Sequence, residues 1–164
     1  MKNNPKIILG IDPGYDRMGV CVLEKINNTE NKILFSVCLE SNKKDDLNER
    51  IFQIGKELEK IIIKYSVDEL AIEKLFFTTN QKTAMGVAES RGAVIFLCKN
   101  LKVKIFEYTP LQIKNALTGY GKADKNQVYF MLDKILKLNN KLNKKYDDEY
   151  DAIAIAYTHS ISIK

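Results

Sequence analysis

The residues of this chain whose types and spacing could do chemistry are carboxylates that close apolar segments. Ile7-Ile8-Leu9-Gly10-Ile11 runs into Asp12 and then breaks at Pro13-Gly14. Leu70-Ala71-Ile72 runs into Glu73 in the same way. Near the C-terminus, Asp147, Asp148, Glu149 and Asp151 open the apolar segment Ile153-Ala154-Ile155-Ala156. A continuous Ile/Leu run reads as a strand buried on both faces. A charge at its end is too expensive to bury unpaired. Three separate elements therefore each deliver a carboxylate to one end. If those ends meet, the concentrated negative charge demands a divalent cation. All-oxygen ligands suit Mg²⁺ or Mn²⁺ and suit Zn²⁺ or copper poorly. Two such ions about 3.5–4 Å apart can clamp the attacking and leaving oxygens of a phosphodiester displacement. No serine or cysteine nucleophile motif competes with this reading.

The C-terminal acids leave alternatives open. Asp148 and Asp151 share a helix face as i,i+3, and Asp147 and Asp151 share one as i,i+4. Acids also favour a first helical turn because they complement the helix dipole. His159 lies eight residues past Asp151, about 12 Å along a helix axis. It reads as a packing or supporting residue rather than a ligand.

The elements that must position these groups follow from periodicity and caps. Strands are expected over 6–12, 18–25, 32–40, 69–73 and 103–108, with a polar hairpin loop at 27–31. Asp46 with Glu49 three residues on opens an amphipathic helix whose apolar positions are Leu47, Ile51, Ile54, Leu58, Ile61 and Tyr65. A second helix spans about 80–100 and is rich in small residues (Ala84, Gly86, Ala88, Ser90, Gly92, Ala93). These suit either a subunit interface or close packing on the chain's own sheet. Thr109-Pro110-Leu111-Gln112 starts a third helix that stops near Gly119. Asp124 and Gln127 start a fourth, and the last begins near Asp148. Hairpins first, then strand–helix–strand units, predict an α/β chain: a mixed five-stranded sheet with helices on both faces.

The chain has 164 residues, 45% of them apolar and 29% charged. Residues 1–164 are expected to form one domain with an ordinary globular composition. No apolar run reaches the length of about 20 residues that a membrane span needs. Cys21, Cys38 and Cys98 show no CxxC spacing and suit a reduced compartment, so a cytoplasmic protein is expected. The net charge of +5 is unevenly spread: residues 99–145 hold eleven lysines against three acids. A basic segment beside an acidic cluster suggests a polyanion held against a metal site.

Four motifs together resemble the RuvC family of Holliday junction resolvases, dimeric endonucleases with an RNase H-like fold. They are Gly10-Ile11-Asp12-Pro13-Gly14 with Gly19, Leu70-Ala71-Ile72-Glu73-Lys74-Leu75-Phe76, Ala88-Glu89-Ser90-Arg91-Gly92, and the run from Asp148-Glu149-Tyr150-Asp151 to Ala156. The resemblance covers nearly the whole chain. It implies that the metal-binding, catalytic acids are Asp12, Glu73, Asp148 and Asp151, which sets Asp147 aside. It implies that Phe76 stacks on a base near the junction centre and that Lys114 and Lys125 contact DNA. It also implies paired nicks in a four-way DNA junction during recombination and repair, made by a homodimer with Mg²⁺, and work beside the RuvA–RuvB branch-migration complex. Two other readings stand beside it. One is a nucleotide-binding ATPase domain, whose phosphate loop also follows a strand ending Gly-Ile-Asp. The other is a junction-binding module without catalysis.

Overall fold

The structure, a computed structural model, describes residues 5–75, 81–138 and 147–163. Five strands form one sheet: β1 (Lys6–Asp12), β2 (Arg17–Lys25), β3 (Asn31–Glu40), β4 (Glu69–Glu73) and β5 (Lys104–Tyr108). Five helices accompany them: α1 (Leu47–Tyr65), α2 (Gln81–Asn100), α3 (Pro110–Thr118), α4 (Lys125–Leu136) and α5 (Asp148–Ser162). The strand order is β3-β2-β1-β4-β5. The β1–β2 and β2–β3 pairs are antiparallel, whereas β4 runs parallel to both β1 and β5. This is the expected mixed sheet.

The caps that signal the helix starts are formed. Asp46 accepts from the Glu49 amide at 3.0 Å, and complete capping boxes join Thr109 to Gln112 and Asp124 to Gln127. Each such cap is worth about 1 kcal/mol. Ser66, Gly119 and Lys137 end α1, α3 and α4 in the left-handed conformation. The three cysteines are unpaired, with Cys21 and Cys98 buried. Among the described residues no helix is long and apolar enough to cross a membrane.

Side-chain alternation sorts the strands between two cores. Leu9, Ile11, Met18, Val20, Val22, Leu70 and Ile72 pack with α1 and α2. Ile8, Cys21, Leu23 and Ala71 pack with α3, α4 and α5. By the same period of two, Asp12 and Glu73 fall on the α5 side of the sheet.

That side is where the sheet and a helix backbone come closest. A Cβ on Gly10 would lie 2.3 Å from the Ala152 carbonyl oxygen and 2.7 Å from the Ala156 Cβ. One on Gly19 would lie 1.8 Å from the Asp148 carbonyl oxygen. The α5 helix can therefore lie directly on β1 and β2 only because both facing residues lack a side chain. Farther along α5, His159 is fully buried, as a packing residue should be. Its Nδ1 lies 2.7 Å from the Tyr108 hydroxyl and its Nε2 lies 2.9 Å from a Glu69 carboxylate oxygen. The Phe106 ring packs on it, with centroids 4.4 Å apart. These contacts tie the C-terminal half of α5 to β4 and β5.

Gly19→Ala should displace the start of α5 and cost about 1–3 kcal/mol of stability through overpacking. Gly55→Ala is the control. A Cβ there meets nothing within 4 Å, and its helical site should gain about 0.5–1 kcal/mol. Thermal melts of the two variants check both.

Candidate active site

Asp12 is the last residue of β1, Glu73 the last of β4, and Asp148 and Asp151 occupy the first turn of α5. The parallel β1–β4 pairing puts both strand ends at one edge of the sheet. The contact of α5 with Gly10 and Gly19 then brings its N-terminus over them. The helix dipole favours negative charge there.

The other three acids are near enough for their charges to bear on Asp12. The Asp12 carboxyl is pushed up to about 8, first by burial and then by the negative charges of Asp151, Glu73 and Asp148. Glu73 is also raised, by burial and then by Asp151, while Lys114 and Lys125 oppose the shift. Of the C-terminal alternatives, Asp148 rather than Asp147 bears on Asp12. Asp147 makes no side-chain cap on α5, so capping does not account for it. Glu149 points elsewhere: it is buried and accepts a hydrogen bond from the Ser36 hydroxyl on β3.

Cations and a tyrosine hold the acids. The Lys125 ammonium lies 2.9 Å from Asp151 and 3.2 Å from Asp147. Burial works against its charge, but the hydrogen bonds and charge of Asp151 leave its pKa raised overall. The Tyr129 hydroxyl lies 2.9 Å from Asp151 Oδ1, to which it donates. Burial first, and the Asp151 charge second, keep that hydroxyl protonated. Arg17 Nε lies 3.5 Å from Asp148. Glu73, Asp151, Lys114 and Lys125 face a cleft of about 270 Å³ between β4, α3, α4 and α5.

The donor set consists of hard carboxylate oxygens and suits a divalent metal. A metal would also oppose the Asp12 shift, since a nearby positive charge favours the ionised carboxylate. Among the described residues, no three His, Cys, Asp or Glu side chains already close on a single point. Asp148 and Asp151 pair with Arg17 and Lys125, and both would have to rotate from those partners to share a metal with Asp12 and Glu73.

Of the residues singled out from sequence, the structure brings together Asp12, Glu73, Asp148, Asp151, Lys114 and Lys125. It places Lys125 on the acids themselves. Phe76 lies outside the described residues. Arg17 and Tyr129 were not singled out. A signal for Tyr129 exists in its position one helical turn after Lys125, which puts the two on one face of α4. Asp12→Asn removes a carboxylate that is destabilised in the folded state, so in metal-free buffer at pH 7 it should raise the melting temperature by a few degrees. A melt with chelator checks this.

Comparisons with known proteins place the chain by family and fold. The family model described as crossover junction endodeoxyribonuclease RuvC matches residues 8–159. The crossover junction endodeoxyribonuclease RuvC of Petrotoga mobilis is 44% identical over 153 residues, covering 93% of this chain and 92% of the relative. That of Finegoldia magna is 43% identical, covering 96% and 94%. Thermus thermophilus RuvC in complex with a Holliday junction substrate superposes with a TM-score of 0.88 at 27% identity, covering 96% of this chain and 94% of that one. The yeast mitochondrial resolvase Ydc2, with a TM-score of 0.69 at 16% identity, shares the fold. With an RNase H-like sheet, acids gathered at one edge of it and this extent of similarity, the chain belongs to the RuvC family of crossover junction endodeoxyribonucleases.

Proposed function

We propose that this chain is a divalent-metal-dependent endonuclease that resolves four-way DNA junctions by paired phosphodiester hydrolysis during recombination and repair. The observation that carries the reading is that Asp12 and Glu73 end neighbouring parallel strands beneath the first turn of α5, which bears Asp148 and Asp151. These four acids are the residues that would hold the metal. Two Mg²⁺ ions, with Mn²⁺ as a substitute, suit them best. When bound, such cations polarise the scissile phosphodiester and ease departure of the 3′ oxygen. The chain's own groups prepare for this. Tyr129 orients Asp151. Lys114 brings positive charge to the Glu73 side of the cleft, where a phosphate must pass. Lys125 can serve a phosphate once it leaves Asp151.

The assembly follows from the symmetry of the substrate. Two strands of like polarity are cut when two identical sites face a two-fold junction, as in a C₂ dimer. The outward face of α2 supports this. Met85 is 65% exposed and Phe96 74% exposed, and Gly92 between them meets open space. Gly86 and Ser90, on the opposite face, are buried within the chain. The small residues of α2 thus divide between the two roles that the sequence left open. Phe76 is the residue assigned to stack on a base at the junction centre. One nuclease domain over residues 1–164, a cytoplasmic setting and work beside RuvA–RuvB belong to the same reading. The family match leaves the nucleotide-binding ATPase reading without support. The complete acid set speaks against a purely binding module.

A synthetic four-way junction compared with linear duplex in Mg²⁺ tests the proposal. The junction should be nicked symmetrically and the duplex left intact. Asp12→Asn, Glu73→Gln and Asp151→Asn should each lose nearly all nicking while still binding the junction in gel-shift assays. Full nicking by any of them would remove that residue from the site. Lys114→Ala should weaken junction binding and lower the slope of log affinity against log salt by roughly one unit, the signature of one lost phosphate contact. An unchanged slope would return Lys114 to the solvated surface.

A further inference from the structure

The β1–β4 pairing ends at the Ile11–Ile72 pair, one residue short of both Asp12 and Glu73. The sheet ladder therefore does not tie the two acid-bearing ends to each other. Helix α2 does, with two consecutive residues. The buried Ser90 hydroxyl donates to the Gly14 carbonyl oxygen at 3.0 Å, two residues past Asp12. Arg91 Nε donates to the Glu73 carbonyl oxygen at 3.2 Å. The same guanidinium is ion-paired with Glu107 on β5, whose neighbour Tyr108 pairs with Glu73. One turn earlier on α2, Gly86 lies against the Tyr15 ring, which an added Cβ would meet at 2.7 Å. The Tyr15 ring is covered in turn by Arg50, which pairs with Asp16. Both the turn after β1 and the end of β4 are thus fastened to one rigid helix.

We propose that Ser90 and Arg91 act as a brace that sets the separation of the Asp12 and Glu73 carboxylates and thereby the affinity of the site for divalent metal. The geometry suits this task better than generic packing. Both hydrogen bonds end on backbone carbonyls, of Glu73 itself and of Gly14 two residues past Asp12, beyond the point where the β1–β4 ladder has run out. They fix main-chain position while leaving the carboxylate oxygens available. Groups that orient metal ligands without touching the metal commonly change its affinity by about tenfold or more. Farther along the inward face of α2, Val94 and Cys98 are buried in the apolar core, so the helix has a firm seat from which to hold the two ends. Gly86 and Ser90 supply small residues where it crosses the turn backbone. Ser90 and Arg91 are positioning residues; neither is assigned contact with metal or DNA.

The proposal rests on the reading of Asp12 and Glu73 as metal-holding acids, and the test separates the two. Full-length Ser90→Ala, Arg91→Lys and Asp12→Asn are titrated with Mn²⁺ without DNA, by calorimetry and by the metal-induced rise in melting temperature. Ser90→Ala and Arg91→Lys should each need roughly tenfold more Mn²⁺ for half-saturation. Their junction nicking should recover at high Mn²⁺, and junction binding without metal should be unchanged. Asp12→Asn should lose the Mn²⁺ response. If Asp12→Asn loses it while both α2 variants keep the wild-type midpoint, the brace is overturned and the acid reading stands. If Asp12→Asn keeps the full response, the acid reading is overturned and the brace with it. Should Ser90→Ala melt early, Arg91→Lys decides, since its partly exposed side chain replaces one cation by another.

Discussion

The contact on which the rest of this structure depends is the one between the α5 backbone and the two glycines beneath it. Gly10 of β1 pairs with Cys21 and Gly19 of β2 pairs with Asp12, and α5 fills the space that the two missing side chains leave. Any side chain at either position would lift the helix from the sheet. The first turn of α5 carries Asp148 and Asp151, so the depth of that packing sets their distance from Asp12. The buried His159 contacts with Tyr108 and Glu69 hold the far end of the same helix. Helix α5 is thus pinned at both ends, by close packing at one and by hydrogen bonds at the other.

Bringing these acids together works against the stability of the fold. A half-buried carboxylate near three others loses solvation and gains repulsion, and both push the Asp12 carboxyl up. The fold offsets part of this locally. Lys125 and Tyr129 of α4 attend Asp151, Arg17 of β2 attends Asp148, and the N-terminal dipole of α5 favours the whole group. The remaining imbalance is what gives a divalent cation its purchase. Beside these acids, Lys114 makes the margin of the cleft electropositive. A polyanionic substrate can therefore approach an acidic centre.

The two faces of the sheet divide the work. The α3–α5 side holds the acids and their cations, while the α1–α2 side holds the larger aliphatic core. The ends of β1 and β4 are where the two sides meet. Ser90 and Arg91 reach them from α2, as Asp148 and Asp151 do from α5. A helix with one face in the core and another exposing Met85 and Phe96 is also well placed for contact between subunits.

Much of this was legible in the chain itself. The strand order of hairpins followed by crossovers, the caps at Asp46, Thr109 and Asp124, and the acids closing β1 and β4 are local signals. They are carried by periodicity and by bonds spanning three or four residues. Even the side of the sheet taken by Asp12 and Glu73 follows from the alternation of their strands. What the residues left open depended on contacts between distant segments. Asp147 and Asp148 both share a helix face with Asp151, at i,i+4 and i,i+3, and only the seating of α5 on Gly19 brings Asp148 near the end of β1. The resemblance implies that Lys125 contacts DNA, and a lysine at a helix start shows its charge but not its neighbour. Its neighbour, Asp151, lies 26 positions away, a distance only tertiary packing could close. Tyr129, Arg17 and the α2 brace were hidden for the same reason. Sequence determined which residues are candidates for the chemistry and which elements bear them; the tertiary structure alone decided which charges face one another, because electrostatic partnership depends on separation in space.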